Sequence, residues 1–302
     1  MNTEDFVLLE DTKFTEENVI SLEDDKINIL FWYIELCRQL IECNDLFHVY
    51  TYSLEKLTSS YHIYYDGSFK STTEINYDDF ICINTLVSGV LSSANNLISS
   101  LELTEKIFSE FFVDKETKFK EDYISRVYDK SFSYRFCYFL RNFSQHGHLT
   151  VSYDTGNKFC FNIERILYTR HFNISKKIGD ELIKIRDEIY EKYNKISKIS
   201  IVGTLISYNK DISEIYKSFY NFFEELYKFL IREVDYIIKD EYLVVLGQDK
   251  YFLFYDWDKN IRAIHICPNP INEFNKYKIE AKKHFKEAKY EKNKFFETIN
   301  KK

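Results

Sequence analysis

The side chains best suited to proton transfer gather in one stretch, Leu140-Arg141-Asn142-Phe143-Ser144-Gln145-His146-Gly147-His148. An arginine, two amides and two histidines crowd the end of an aromatic segment there. Imidazole is the group most readily used for acid–base work near neutral pH. The set suits cleavage of RNA by its own 2′-hydroxyl, which needs a proton acceptor, a proton donor and a cation beside the scissile phosphate, but no metal. On that reading His146 moves the proton and Arg141 stabilises the charged transition state. Asn142 orients the histidine or a phosphate oxygen, and Gln145 and His148 are candidate supporting or substrate contacts. The residues also fit a plainer reading, in which His146 is a satisfied helix-end histidine and Arg141 a surface ion-pair partner. His146-Gly147-His148 has the form of some metal sites, but no neighbouring cluster of Asp, Glu, His or Cys completes a ligand set, so neither metal nor cofactor is expected.

These residues must be carried by a helix. At 100° per residue, Asn142 and His146 form an i, i+4 pair bordering the apolar seam, while Arg141 falls on the opposite, exposed side about 140° from His146. Convergence then requires the long arginine stem, a loosened last turn at Gly147, or a second copy of the helix across a two-fold axis. The remaining histidines, His48, His62, His171, His265 and His284, read as structural or surface residues. Tyr153 and Tyr168, near the motif in sequence, are candidates for base stacking, although packing or exposure accounts for them as well.

The motif helix is expected over about 120–146, burying Tyr128, Phe132, Phe136, Phe139, Leu140 and Phe143 and ended by Gly147 at C′. Two long helices precede it, near 24–59 and 74–112. The second follows a capping-box-like Ser71-Thr72-Thr73-Glu74, after a polar connector at 60–72. Alternation at 149–153 and 158–163 around Asp154-Thr155-Gly156-Asn157 predicts a β-hairpin. Helical spacing returns near 173–198 and 210–239, the latter started by Asp211 and Glu214. Three short strands at 242–246, 251–256 and 261–267 then form a meander, and a basic helix follows from about 271 to 299. The expected organisation is an acidic lead (1–23), a helical bundle with its hairpin (24–239), and a C-terminal β meander with helix (240–302). The fold class is mainly α.

Composition narrows the chemistry. The 302 residues are 45% apolar and 18% aromatic with net charge −7, as in globular proteins. Seven scattered glycines exclude a GxGxxG or Walker A loop. Six cysteines without a CxxC read as small buried hydrophobes rather than a disulfide framework. The uncharged run 80–101 is long enough to span a bilayer but carries Asn84, Ser88, Asn95 and Asn96 among other polar residues, so a buried helix is expected and no membrane role. With no basic, apolar leader, a cytoplasmic location is expected. Residues 1–30 carry nine acids against two lysines (net −7), and 273–302 ten lysines against five glutamates (net +5). The basic end reads as a solvated helix face, with a phosphate-binding role as the alternative.

The string Arg141-Asn142-Phe143-Ser144-Gln145-His146 resembles the R-x4-6-H signature of the HEPN superfamily, with its polar residue directly after the arginine and its place near the end of a long bundle helix. The Arg-Asn-aromatic-x-Gln-His form is similar to that of bacterial defence and abortive-infection members. The resemblance implies a metal-independent endoribonuclease, a toxin or antiphage effector. It would work as a homodimer with one composite cleft, act on an RNA such as tRNA or mRNA, and be held in check by an antitoxin or sensor partner. Arg141 and His146 would be catalytic and Asn142 supporting. Some HEPN toxins carry a modifiable tyrosine two residues after the histidine, and here that position is His148. A non-catalytic HEPN-like module that binds nucleotide, RNA or a partner is the alternative.

Overall fold

The computed structural model describes residues 24–60, 77–113, 117–153, 158–169, 174–193 and 198–240, together with the backbone of 6–7, 19–20, 62–63, 69–70, 251–257 and 260–266. It is mainly helical, as the spacing of apolar residues predicts. In chain order the helices are α1 (Asp24–Ser60), α2 (Tyr77–Ile107), α3 (Arg126–Lys130), α4 (Phe132–Gln145), α5 (Ile163–Leu167), α6 (Lys176–Tyr193) and α7 (Ile201–Asp240). The strands are β1 (Phe6–Val7), β2 (Val19–Ile20), β3 (His62–Ile63), β4 (Phe69–Lys70), β5 (Ser152–Tyr153), β6 (Lys158–Asn162), β7 (Lys198–Ile199), β8 (Tyr251–Trp257) and β9 (Asn260–Ile266).

The chain divides into two compact units, Met1–Glu42 with Tyr220–Ile279 and Cys43–Phe219 with Glu280–Lys302. In the first, Leu30, Tyr33, Leu36 and Leu40 of α1 and Phe223, Leu226, Leu230 and Val234 of α7 are buried at helical spacing. The Tyr220 hydroxyl donates to the Leu40 carbonyl (3.5 Å). Its sheet is antiparallel in the order β2-β1-β8-β9, with Phe6 opposite Tyr255 and Leu253 opposite Ile264. Two of the three expected C-terminal strands are therefore present, flanked by strands from the acidic lead. The third, at 242–246, lies outside the described residues, as do the Ser71–Glu74 capping signal and the basic segment 271–299.

The second unit holds the motif helix. Phe47 of α1 stacks on Tyr216 of α7 with ring centroids 3.9 Å apart, and the Tyr216 hydroxyl donates to Asn44 Oδ1 (3.1 Å). Phe136 of α4 meets Phe161 of β6 edge to face, which fixes the helix against the hairpin. The expected hairpin is present as β5–β6, with Ser152 opposite Cys160. It belongs to a larger sheet: β4 pairs the start of β6, β7 pairs its end, and β3 pairs β4. The polar connector at 60–72 thus contributes two short strands, because β6 needs a second partner for its backbone N–H and C=O groups.

Helix α2 is long and apolar enough to cross a membrane by length and composition, yet half of its most apolar window is buried inside the fold. Its buried Asn84 explains why such a polar residue is tolerated there. The side chain accepts from Val151 N (2.9 Å) and donates to Val151 O (3.4 Å), pinning the chain that leaves the motif helix. Helix α7 starts at Ile201, about nine residues before the expected start. The Ser200 hydroxyl accepts from Gly203 N (3.1 Å) at that end, and Asp211 lies well inside the helix instead of capping it.

Candidate functional site

The expected continuous helix over 120–146 is broken at Ser131. A π-helical turn at Lys120–Ser125 leads into α3, Ser131 takes an extended conformation (φ −101°, ψ 116°), and α4 begins anew. Ser131 is the N-cap of α4: its Oγ accepts from Tyr134 N (3.2 Å) and its hydroxyl donates to the Asp211 carboxylate. Arg135 closes the gap from the other side. This guanidinium, only 5% exposed, donates to the carbonyls of Tyr128 (2.6 Å) and Asp129 (2.7 Å) at the end of α3 and forms an ion pair with Glu181 of α6. Arginine is well suited to this because its planar fork serves several acceptors at once. A cation one residue before buried Phe136 was the available sequence signal for this contact.

At the other end α4 terminates in a Schellman motif. Gly147, at φ +83°, donates to the Ser144 carbonyl (3.0 Å), and His148 N donates to the Phe143 carbonyl (3.3 Å). The His148 ring lies 4.7 Å from the Phe143 ring, supplying the contact that accompanies this cap. His148 is therefore half-buried on the motif helix's own last turn. His146 is the C-cap residue, exposed, with its backbone N–H on the Asn142 carbonyl (3.2 Å). Gln145 is exposed as well.

Arg141 and His146 exchange the environments expected of them. Arg141, expected on the exposed side, is half-buried, and His146, expected at the apolar seam, faces outward. Helix α4 buries two faces rather than one: Arg141 follows Tyr134 by seven residues and Cys137 by four, so it shares their face, whereas His146 has passed the end of the helix. Arg141 Nη1 donates to Asn142 Oδ1 (2.9 Å), so Asn142 orients the arginine rather than the histidine. The Arg141 Nε is buried without a hydrogen-bond partner.

Arg141 lines a cleft of about 580 Å³ between α2, the π-helical turn, α3 and α4, together with Asn95, Ser99, Tyr128 and Tyr138. His146 does not line it, and neither do Tyr153 or Tyr168. Tyr153 packs its ring edge-on against Phe80, and the Tyr168 hydroxyl accepts from Arg186. Among the described residues no group of three or more His, Cys, Asp or Glu gathers that could hold a metal ion. Beneath the site Tyr50, Tyr134, Cys137 and Tyr208 are buried, and burial pushes the ionisation of each well up from its ordinary range. These groups stay protonated and packed.

No protein-family model, no curated protein and no solved structure matches this chain.

Proposed function

We propose that this chain is a metal-independent endoribonuclease of HEPN type, acting in growth arrest or antiphage defence. The observation that carries the reading is the end of α4: Arg141 is held by Asn142, and an exposed imidazole, His146, stands at the C-cap of the same helix. Arg141 supplies a cation for the phosphorane-like transition state, and His146 moves the proton to or from the 2′-hydroxyl or the leaving 5′-oxygen. Arg141 lines the cleft and His146 does not, so the two are not gathered around one pocket of the single protomer. The mechanism therefore uses a homodimer, in which the histidine of one copy meets the arginine of the other. The products are a 2′,3′-cyclic phosphate and a 5′-hydroxyl.

The test is incubation of wild-type, Arg141→Ala and His146→Ala proteins with total RNA and tRNA in excess EDTA, followed by mapping of product ends. Cleavage leaving cyclic phosphates, reduced about 100-fold or more in both variants, is expected. EDTA-sensitive cleavage, or cleavage that persists in the variants, overturns the mechanism. The absence of His146 from the Arg141 cleft favours a second reading, a non-catalytic module that binds RNA or nucleotide through Arg141. RNA affinity that depends on Arg141 without His146-dependent products would select it.

A further inference from the structure

The register of the β8–β9 hairpin decides which backbone groups of β9 turn away from β8. Two residues separate Trp257 from Asn260, and the pairs run without interruption from Trp257 opposite Asn260 to Tyr251 opposite Ile266. A two-residue connection makes its flanking pair a hydrogen-bonded one, and hydrogen-bonded pairs then recur at every second position. Asn260, Arg262, Ile264 and Ile266 therefore direct their N–H and C=O groups to β8, while Ile261, Ala263 and His265 direct theirs to the outer edge of the sheet. The order β2-β1-β8-β9 places no strand on that side among the described residues.

An edge of this kind is a template for another strand unless shortness, proline, a bulge or charge blunts it. β9 is seven residues long, and its register with β8 has no bulge. Its sequence, Asn260-Ile261-Arg262-Ala263-Ile264-His265-Ile266, holds no Pro, Lys, Asp or Glu, and Arg262 is its one full charge. The other outlying strands described, β2, β3, β5 and β7, have two residues each. Among the described strands, the edge that matches β9 in length is therefore β9 of a second copy. An antiparallel pair centred on Ala263 sets Ala263 opposite itself and Ile261 opposite His265. These are the outward-directed residues, so each N–H and C=O on the edge finds its complement across the two-fold axis. Arg262 falls opposite Ile264, so no charge meets its like.

We infer that two copies of this chain associate edge to edge through β9, joining their four-stranded sheets into one continuous sheet across a two-fold axis at Ala263. β9 belongs to the unit of Met1–Glu42 and Tyr220–Ile279, whereas the end of α4 belongs to the other unit. The association is thus distinct from the pairing that the ribonuclease mechanism requires and does not depend on that reading. Where both form, each chain carries two different two-fold contacts, and the assembly grows beyond a dimer.

The test is analytical ultracentrifugation of the full chain, wild type and Ala263→Pro, from about 1 μM to about 1 mM. Proline at 263 removes an outward N–H and spares the bonds to β8. Wild type is expected to associate reversibly, and Ala263→Pro to need about tenfold or more higher concentration for the same step, while any pairing at α4 persists. Ala263→Asp and Ala263→Lys give a check that does not rest on proline. Each alone should fail to associate at this edge, because like charges meet at the axis, and an equimolar mixture should associate again. Circular dichroism shows that each variant is folded. Hydrogen exchange of the same samples reads the edge directly: the Ile261, Ala263 and His265 amides should be protected in concentrated wild type and exposed in Ala263→Pro. Association unchanged in Ala263→Pro, or free exchange of those amides in wild type at the highest concentration, overturns the inference. Protection of the same amides in a chain that sediments as a monomer overturns it as well, because the chain then covers its own edge.

Discussion

Gly147 is the residue on which the geometry of the motif end depends. At φ +83° it takes the left-handed conformation that lets the Ser144 and Phe143 carbonyls find donors and turns His148 back onto Phe143. A Cβ there would meet nothing within 4 Å, so the cost of a side chain is purely conformational. Gly147→Ala is expected to destabilise the protein by about 1–2 kcal/mol, read as a lower urea midpoint with an unchanged slope. The Schellman glycine was legible in the sequence, because an apolar-periodic helix running into a lone Gly has one common ending. The role of His148 was not, since its partner is set by the turn that the glycine makes. The exchanged environments of Arg141 and His146 have a similar origin. A single apolar seam locates one buried face of α4, and nothing in the residues Tyr134 and Cys137 announces that a second element covers the other.

The break between α3 and α4 joins several helices through polar contacts. Arg135 serves two carbonyls of α3 and one carboxylate of α6, while Ser131 ties the N-cap of α4 to Asp211 of α7. Arg135→Ala would leave the Tyr128 and Asp129 carbonyls at the end of α3 without this donor and Glu181 unpaired, and is expected to cost about 1–3 kcal/mol in chemical unfolding. Arg135→Met combined with Glu181→Leu should recover part of that loss, since the carboxylate is no longer stranded. Packed between these helices, Tyr50, Tyr134, Tyr208 and the Cys137 thiol ionise well above their ordinary ranges, chiefly because burial penalises the charged form. The unfolded chain ionises such groups from about pH 8.5 for Cys and about pH 10 for Tyr. Their contribution is thus fully present below about pH 8.5 and is lost as pH rises from there towards the raised folded values. The urea midpoint should be flat on this account near neutrality and fall between about pH 9 and 11. In the same native protein exposed Cys82 should react with a thiol reagent while buried Cys137 does not.

The proposed chemistry requires two copies of the chain, because Arg141 lines the cleft of one and His146 does not. Complementation follows. When Arg141→Ala and His146→Ala chains are co-expressed, a mixed dimer retains one site with both wild-type residues, so about a quarter of wild-type activity is expected from random pairing. Each variant alone should be inactive, and a mixture that stays inactive would show that both residues must come from one protomer.

Local pattern was sufficient wherever local physics decides. Apolar spacing marked α1, α2, α6 and most of α7, alternation around Asp154-Thr155-Gly156-Asn157 marked the β5–β6 hairpin, and a lone glycine marked the end of α4. The motif residues were legible as a dense polar cluster on an aromatic helix. Long-range partners were not. The early start of α7 follows from burial of Ile201, Val202 and Leu205, the strands β3 and β4 exist because β6 has an edge to fill, and the helix break at Ser131 is held by Asp211, 80 residues away. The cleft beside Arg141 is likewise assembled from α2, α3 and α4, elements whose sequences carry no record of their distance from one another. Secondary structure is encoded in periodicity, but which face of α4 is covered and which of its motif residues lines the cleft are settled only when the helices pack.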